Sequence, residues 1–190
     1  MRAKLAPIDV AAAALVVIDM QKGFDAPGRP ALNANPDVPA LRLLAAWRAK
    51  GGAVVVVRHD SVERGSAFAP ASPGNTLREG FAPQAGEALV AKSVNSAFIG
   101  TDLDLRLRRM GAKTLVMLGM STDMCVSTTA RMGANLGYRV IVAADACAAY
   151  GQPGLDGAQI PAAQIHAVHL ATLANEFAEV AGVGEIVAQI

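Results

Sequence analysis

Short, uninterrupted runs of apolar residues recur along this 190-residue chain, and each gives way to polar or glycine-containing sequence. An uninterrupted apolar run, unlike an alternating one, predicts a strand that is covered on both faces. The five clearest runs span residues 14–18, 53–57, 88–91, 114–118 and 139–143. A shorter run at 184–187 predicts a sixth strand.

Segments with helical spacing separate these runs. A helix that starts near Asn35 and ends at Gly51 would carry Leu41, Leu44 and Trp47 on one face. Further helices are predicted over 101–109, from Cys125 to about 136, and over 161–177, the last with an apolar stripe formed by Ile165, Val168, Leu173 and Phe177. Strands that alternate with helices predict a three-layer α/β fold with a mainly parallel sheet, in a single domain over 1–190.

Composition narrows the classes of partner. The net charge is only +1 and no lysine- or arginine-rich run is present, which argues against nucleic-acid and anionic-membrane partners.

The apolar N-terminal stretch 10–18 follows Arg2 and Lys4, but it is too short to span a bilayer and no convincing cleavage site follows it. We therefore interpret it as a core strand and expect a cytoplasmic protein.

Three potentially reactive side chains follow predicted strands. Asp19 ends the first run, Lys92 ends the third, and Cys125 comes shortly after the fourth. Each has an ordinary alternative role: Asp19 can cap a turn, Lys92 can be solvated, and Cys125 can simply pack in the core. The carboxyl ends of parallel strands, however, lie along one sheet edge, where ligands bind.

At one edge, these three groups would form a reactive set. A carboxylate can take the proton of a thiol, and a neighbouring ammonium keeps that carboxylate ionised. The resulting thiolate can attack a carbonyl carbon while backbone N–H groups hold the oxyanion. The location of Cys125 between a strand and a helix also predicts that the helix dipole favours its thiolate form.

Other catalytic motifs are missing. The chain has no phosphate-binding loop, no glycine-rich dinucleotide motif after the first strand, and no C-x-x-C pair. The segment 119–123 fails the G-x-S-x-G serine motif at its last position. Its only cysteines, Cys125 and Cys147, form no disulfide framework.

The long irregular segments 21–39 and 61–86 are predicted to be loops, the second of them a lid or pocket wall.

Four segments resemble the isochorismatase-like cysteine hydrolase superfamily, which includes nicotinamidase, N-carbamoylsarcosine amidase and streptothricin hydrolase. They are Val17-Ile18-Asp19-Met20-Gln21 with Phe24, Lys92 with 96–98 and 100–103, Gly119 to Val126, and Asp145-Ala146-Cys147-Ala148. The resemblance implies an isochorismatase-like α/β/α fold with a six-stranded parallel sheet.

The same resemblance implies roles for individual residues. Asp19 would accept the thiol proton and later protonate the leaving group, Lys92 would hold Asp19, and Cys125 would form an acyl-enzyme thioester. A non-proline cis peptide in the family maps to Met120–Ser121. It would direct the Ser121 N–H, together with that of Cys125, at the oxyanion.

Candidate pocket residues are Phe24, His59, Phe98 and Thr122. Nicotinamidase-like members hold a metal with an Asp-x-His segment and a further histidine after strand two. Here residues 58–61 read Arg-His-Asp-Ser, and the next histidine is His166. We therefore predict no catalytic metal and no cofactor, and we assign His166 and His169 to the core or the pocket rim.

The predicted function is cysteine-dependent hydrolysis of a C–N bond in a small amide-like carbonyl compound. One alternative is isochorismatase-type cleavage of a vinyl ether, a reaction that some enzymes carry out without the cysteine. Another is a catalytically idle homologue that binds small molecules. Retention of Cys125 favours the C–N substrate. The family resemblance further implies a homo-oligomer, either a dimer or a tetramer.

Overall fold

A single parallel sheet forms the centre of the protein in a computed structural model that describes residues 5–26, 28, 30 and 32–190. Its six strands are β1 (Ala13–Ile18), β2 (Ala53–His59), β3 (Ala88–Lys92), β4 (Thr114–Met120), β5 (Arg139–Ala148) and β8 (Glu179–Ala181). They lie in the order β3-β2-β1-β4-β5-β8, and every neighbouring pair is parallel. A small antiparallel pair, β6 (Gln152–Pro153) and β7 (Gln159–Ile160), lies outside it.

Helices cover both faces of this sheet. They are α1 (Asp37–Ala49), α2 (Leu103–Arg109), α3 (Ser127–Asn135), α4 (Ala162–Glu176) and α5 (Val183–Val187). One buried cluster packs α1 and α5 against the sheet, and the other packs α2, α3 and α4. The three-layer fold with six parallel strands is therefore confirmed. None of the helices in the described ranges is long and apolar enough to cross a lipid bilayer.

The alternation of side chains along β1 explains why its sequence is apolar throughout. Leu15 and Val17 belong to the first cluster, whereas Ala14, Val16 and Ile18 belong to the second. Successive side chains of a strand point to opposite faces, so a strand with helices on both faces needs apolar residues at every position. The edge strand β3, by contrast, alternates between buried and exposed residues.

Two predictions about the C-terminal elements are wrong. Residues 184–187 are not the sixth strand: they belong to α5, and the edge strand is Glu179–Ala181. The N–H of Gly182 donates to Glu185 (2.8 Å) and that of Val183 donates to Asp145 (2.8 Å), which satisfies the free donors at the start of this helix. In α4, Val168 is 56% exposed and lies outside the buried stripe.

A close backbone contact joins the ends of the two central strands. Gly119 in β4 has a φ of +134°, and a Cβ atom built there would lie 1.9 Å from the carbonyl oxygen of Ile18 in β1. Only glycine fits such an approach. The residues that follow β1 and β4 therefore start from adjacent points at the carboxyl edge of the sheet.

Candidate active site

Lys92 lies at the centre of a buried polar cluster at this sheet edge. Its Nζ atom lies 2.6 Å from Oδ2 of Asp19, 3.2 Å from Nδ1 of His59 and 3.3 Å from Sγ of Cys125. An ammonium group has three N–H donors. All three therefore have a partner, and the lysine side chain is fixed between the carboxylate, the imidazole and the thiol.

Asp19 is fully buried, and its backbone has a φ of +51° in the left-handed region. This conformation is uncommon for residues other than glycine, although aspartate and asparagine adopt it more readily than most. Burial raises the pKa of the Asp19 carboxyl, and the positive charge of Lys92 opposes that rise. A hydrogen bond with the Cys125 side chain also opposes the rise, so the carboxylate has the thiol within reach.

Cys125 lies in a π-helical turn, Thr122–Val126, that connects β4 to α3. Burial, and next the negative charge of Asp19, raise the pKa of its thiol to about 12, while Lys92 acts in the opposite direction. The expectation of a thiolate favoured by the helix dipole is therefore wrong, because desolvation of the sulfur dominates. The thiol is neutral at physiological pH and needs a base to become a nucleophile.

A cavity of about 170 Å³ opens next to the thiol. The described residues that line it are Asp19, Phe24, His59, Phe68, Asn95, Ser121, Met124 and Cys125. The peptide bond between Met120 and Ser121 is cis, at the position that the family resemblance indicates. Ser121 and Cys125, the two residues predicted to supply oxyanion N–H groups, both line this cavity.

Gln21 fixes the end of β2 beside this cavity. Its side chain accepts a hydrogen bond from the backbone N–H of His59 (2.8 Å) and donates to the carbonyl oxygens of His59 (3.1 Å) and Asn75 (2.9 Å). The side-chain amide of Asn75 also donates to the His59 carbonyl oxygen (3.0 Å). Since Gln21 is fully buried, these bonds hold the backbone of His59 in one place.

Two loops supply the aromatic wall of the cavity. Phe24 comes from the segment after β1, and Phe68 from the long segment after β2. Their ring centroids lie 4.8 Å apart with the planes inclined at 60°, the edge-to-face arrangement that aromatic rings favour. The hydroxyl of Tyr150 donates to the carbonyl oxygen of Phe24. The prediction that segment 61–86 forms a pocket wall is thus confirmed at Phe68.

The isochorismatase domain family model matches residues 13–185 of the chain. The chain belongs to the isochorismatase family. An isochorismatase family protein of Bacillus subtilis, YrdC, is 38% identical over 168 residues, which cover 88% of this chain and 90% of YrdC. The ureidoacrylate amidohydrolase RutB of Methylorubrum extorquens is 32% identical over 77% of this chain and 74% of its own length.

Solved structures of the isochorismatase family agree with the sequence match. A crystal structure of a family protein from Chromobacterium violaceum superposes with a TM-score of 0.93 at 38% identity. The superposition covers 100% of this chain and 98% of that one. The observed fold is therefore the isochorismatase fold, and membership in this family makes the chain a hydrolase.

Within this isochorismatase framework, the structure brings Asp19, Lys92 and Cys125 together, with Phe24 and His59 at the cavity. It does not bring the other two predicted pocket residues there. The Phe98 ring instead stacks near Tyr138 with 6.2 Å between centroids, and the buried hydroxyl of Thr122 bonds to Nδ1 of His166 at 2.9 Å. Neither side chain lines the cavity: Phe98 packs against the cluster that contains α2, α3 and α4, and Thr122 bonds to α4.

Several cavity residues were not predicted from the sequence. Phe68 lies in the predicted pocket-wall segment 61–86, and Met124 lies in the matching segment Gly119 to Val126, but neither residue was singled out. Asn95 lies between Lys92 and the matching segment 96–98, where no pattern marks it. Asn95 is close to the reactive sulfur, with its Oδ1 atom 3.8 Å from Sγ of Cys125. Within the described residues, no three His, Cys, Asp or Glu side chains are grouped closely enough to hold a metal ion.

Proposed function

We propose that this protein hydrolyses a C–N bond of a small amide-like compound through a thioester on Cys125. The observation that carries the proposal is the buried contact of Lys92 with both Asp19 (2.6 Å) and Cys125 (3.3 Å) beside the cavity. A thiol with a pKa of about 12 needs a base, and burial has raised the pKa of the neighbouring carboxylate. A more basic carboxylate is a better proton acceptor near neutral pH.

The proposed reaction starts when Asp19 takes the proton from Sγ of Cys125. The sulfur attacks the carbonyl carbon, and the backbone N–H groups of Ser121 and Cys125 stabilise the oxyanion. Asp19 then returns the proton to the leaving nitrogen, the C–N bond breaks, and an acyl thioester remains. Asp19 next deprotonates a water molecule that attacks the thioester, and the acid product leaves as the thiol regains its proton.

The charges around the cavity favour a neutral amide over the vinyl ether isochorismate, which carries two carboxylates. No lysine or arginine is among the described residues that line the cavity, and all three donors of Lys92 are already occupied. Burying a carboxylate without a cationic partner costs roughly several kcal/mol, and isochorismate would bury its carboxylates in this way. The amidohydrolase name of the relative RutB supports the same choice.

The test is a panel of small amides, ureides and imides incubated with the protein, with intact-mass detection of an acyl adduct. We expect an adduct on Cys125 and none on Cys147, which is buried in the core and serves as the internal control. Cys125→Ala should abolish turnover. Turnover that persists in this variant, or turnover of isochorismate in place of the amides, would overturn the proposal.

A further inference from the structure

His59 offers the cavity a hydrogen-bond donor that the proposed reaction does not use. The ammonium group of Lys92 has only N–H donors, so Nδ1 of His59 must accept the 3.2 Å bond between them. A neutral imidazole that accepts at one nitrogen carries its proton on the other. The tautomer of His59 is therefore the one with N–H at Nε2.

The electrostatics keep this ring neutral. Burial, and next the positive charge of Lys92, lower the pKa of His59. The acidic groups that act in the opposite direction are Asp19, Asp60 and Glu63. A second proton would place an imidazolium beside an ammonium at 3.2 Å, an arrangement that like charges disfavour.

The ring is also fixed in place. Gln21 and Asn75 hold both backbone polar groups of His59, and the imidazole packs edge-on against Phe68 at a centroid distance of 6.0 Å. Since the two nitrogens of an imidazole point in divergent directions, Nε2 faces away from the buried Lys92. No described residue accepts a hydrogen bond from it. The residue lines both the cavity at Cys125 and an adjoining cavity of about 390 Å³.

We infer that His59 is a substrate-binding residue that donates its Nε2–H to a second acceptor on the substrate, near the scissile carbonyl. The inference rests on the proposed function, in which the first carbonyl oxygen is held by backbone N–H groups. It names a substrate class: acyl ureas, ureides and imides carry a second carbonyl close to the bond that breaks, whereas simple amides do not. A polar site rejects analogues that leave its donor unpaired.

Two substitutions distinguish the roles of the two ring nitrogens of His59. In His59→Asn, the side-chain oxygen of the new amide can replace Nδ1 as the acceptor for Lys92, but the amide provides nothing at the Nε2 position. The longer amide in His59→Gln can replace the Nε2–H donor instead. The readout is the ratio of kcat/KM for acetylurea to kcat/KM for butanamide, which cancels losses that affect both substrates equally.

We expect His59→Asn to lower this ratio about tenfold, the usual effect of losing one hydrogen bond to a substrate. His59→Gln should leave the ratio within about twofold of the wild-type value, a change too small for a lost hydrogen bond. If His59 only supported the fold, both variants would lose activity on the two substrates in equal proportion. Equal losses on the two substrates would overturn the inference. So would a substrate ratio that His59→Gln lowers more than His59→Asn does.

A second measurement does not depend on turnover. In Cys125→Ala with ¹⁵N-labelled histidine, we expect His59 to show a neutral ring with its proton on Nε2, and this N–H signal to shift with acetylurea but not with butanamide. The His59→Asn spectrum assigns the signal among the three histidines of the chain. A proton on Nδ1, a charged ring at neutral pH, or no shift with acetylurea overturns the inference.

The two proposals can fail separately. An acyl adduct on Cys125 with an unchanged substrate ratio in His59→Asn would leave the amide hydrolase standing without the role of His59. A histidine signal that responds to acetylurea, in a protein that forms no adduct, would leave the binding role standing without the thioester.

Discussion

Replacing one member of the buried Asp19–Lys92 pair should destabilise the protein strongly, whereas replacing both members should lower the free energy of unfolding much less. Lys92→Met leaves an unpaired carboxylate in the core, and Asp19→Asn leaves an unpaired ammonium. Asparagine tolerates the left-handed backbone conformation of residue 19 (φ +51°), so the second change acts on charge rather than on the turn. The double variant buries neither charge.

The distance sets the size of the effect. Two unit charges 2.6 Å apart attract each other by about 6 kcal/mol at an effective dielectric constant of about 20. Desolvation of both ions offsets much of this, so the intact pair contributes little net stability. Removing one partner exposes the full penalty, and we expect each single variant to lose about 3–5 kcal/mol in free energy of unfolding. The double variant should stay within about 2 kcal/mol of the wild type.

The loss of stability in Lys92→Met should also depend on pH. In Lys92→Met, burial still raises the pKa of Asp19, and the cation that lowered it has gone. A carboxyl whose pKa is higher in the folded than in the unfolded state loses its stabilising contribution as pH rises through the folded-state value. The deficit of Lys92→Met therefore grows with pH above the ordinary carboxyl range.

The assay is urea unfolding of the wild type, both single variants and the double variant, followed by circular dichroism at two pH values. The double-mutant cycle should give a coupling free energy of at least about 4 kcal/mol, since each single variant loses at least about 3 kcal/mol and the double variant at most about 2 kcal/mol. If a single variant does not fold at all while the double variant does, this also supports the coupling, because the single loss then exceeds the total stability of the protein. Additive losses, or a deficit of Lys92→Met that does not grow with pH, would refute the reasoning.

Three further changes test other parts of the structure. Gly119→Ala should cost about 2–4 kcal/mol in free energy of unfolding, because the new Cβ meets the carbonyl oxygen of Ile18. Gly111→Ala is the matched control: Gly111 also has a positive φ, but its surroundings are open, so the change should cost only about 1 kcal/mol. Alkylation of Cys125 by iodoacetamide, measured by intact mass, should accelerate with pH without a plateau below about 12, while buried Cys147 stays unmodified; a plateau near neutral pH would contradict the neutral thiol. Gln21→Leu should lower both the unfolding free energy and kcat by removing the bonds that hold the end of β2; activity at the wild-type level would show that this anchoring is dispensable.

The sequence predicts correctly that Asp19, Lys92 and Cys125 lie close together, because the sheet topology leaves few other arrangements. Once Asp19, Lys92 and Cys125 follow parallel strands, the sheet itself carries them to one edge, and the close contact at Gly119 brings the two central ends together. Burial on both faces makes the strands readable as apolar runs. These are properties of the backbone pattern, so they can be read without knowing how side chains pack.

Features that depend on packing across distant segments are not readable in this way. The sequence places Cys125 at a helix start, but only the folded environment shows that desolvation governs its thiol. Phe98 and Thr122 lie in matching segments, and yet their side chains turn away from the cavity. The sixth strand is three residues long with a glutamate at its start, so it leaves almost no apolar signal.

The edge-to-face contact between Phe24 and Phe68 separates the chemistry of this protein from its selectivity. The proposed reacting groups lie at the ends of strands or in the turn after β4, whereas two loops that pack against each other build the aromatic wall of the cavity. Exchanging one loop alone would remove the support of the other ring. Laboratory redirection of the protein to new substrates would therefore work best by transplanting both loops as one cassette, with the sheet edge left untouched.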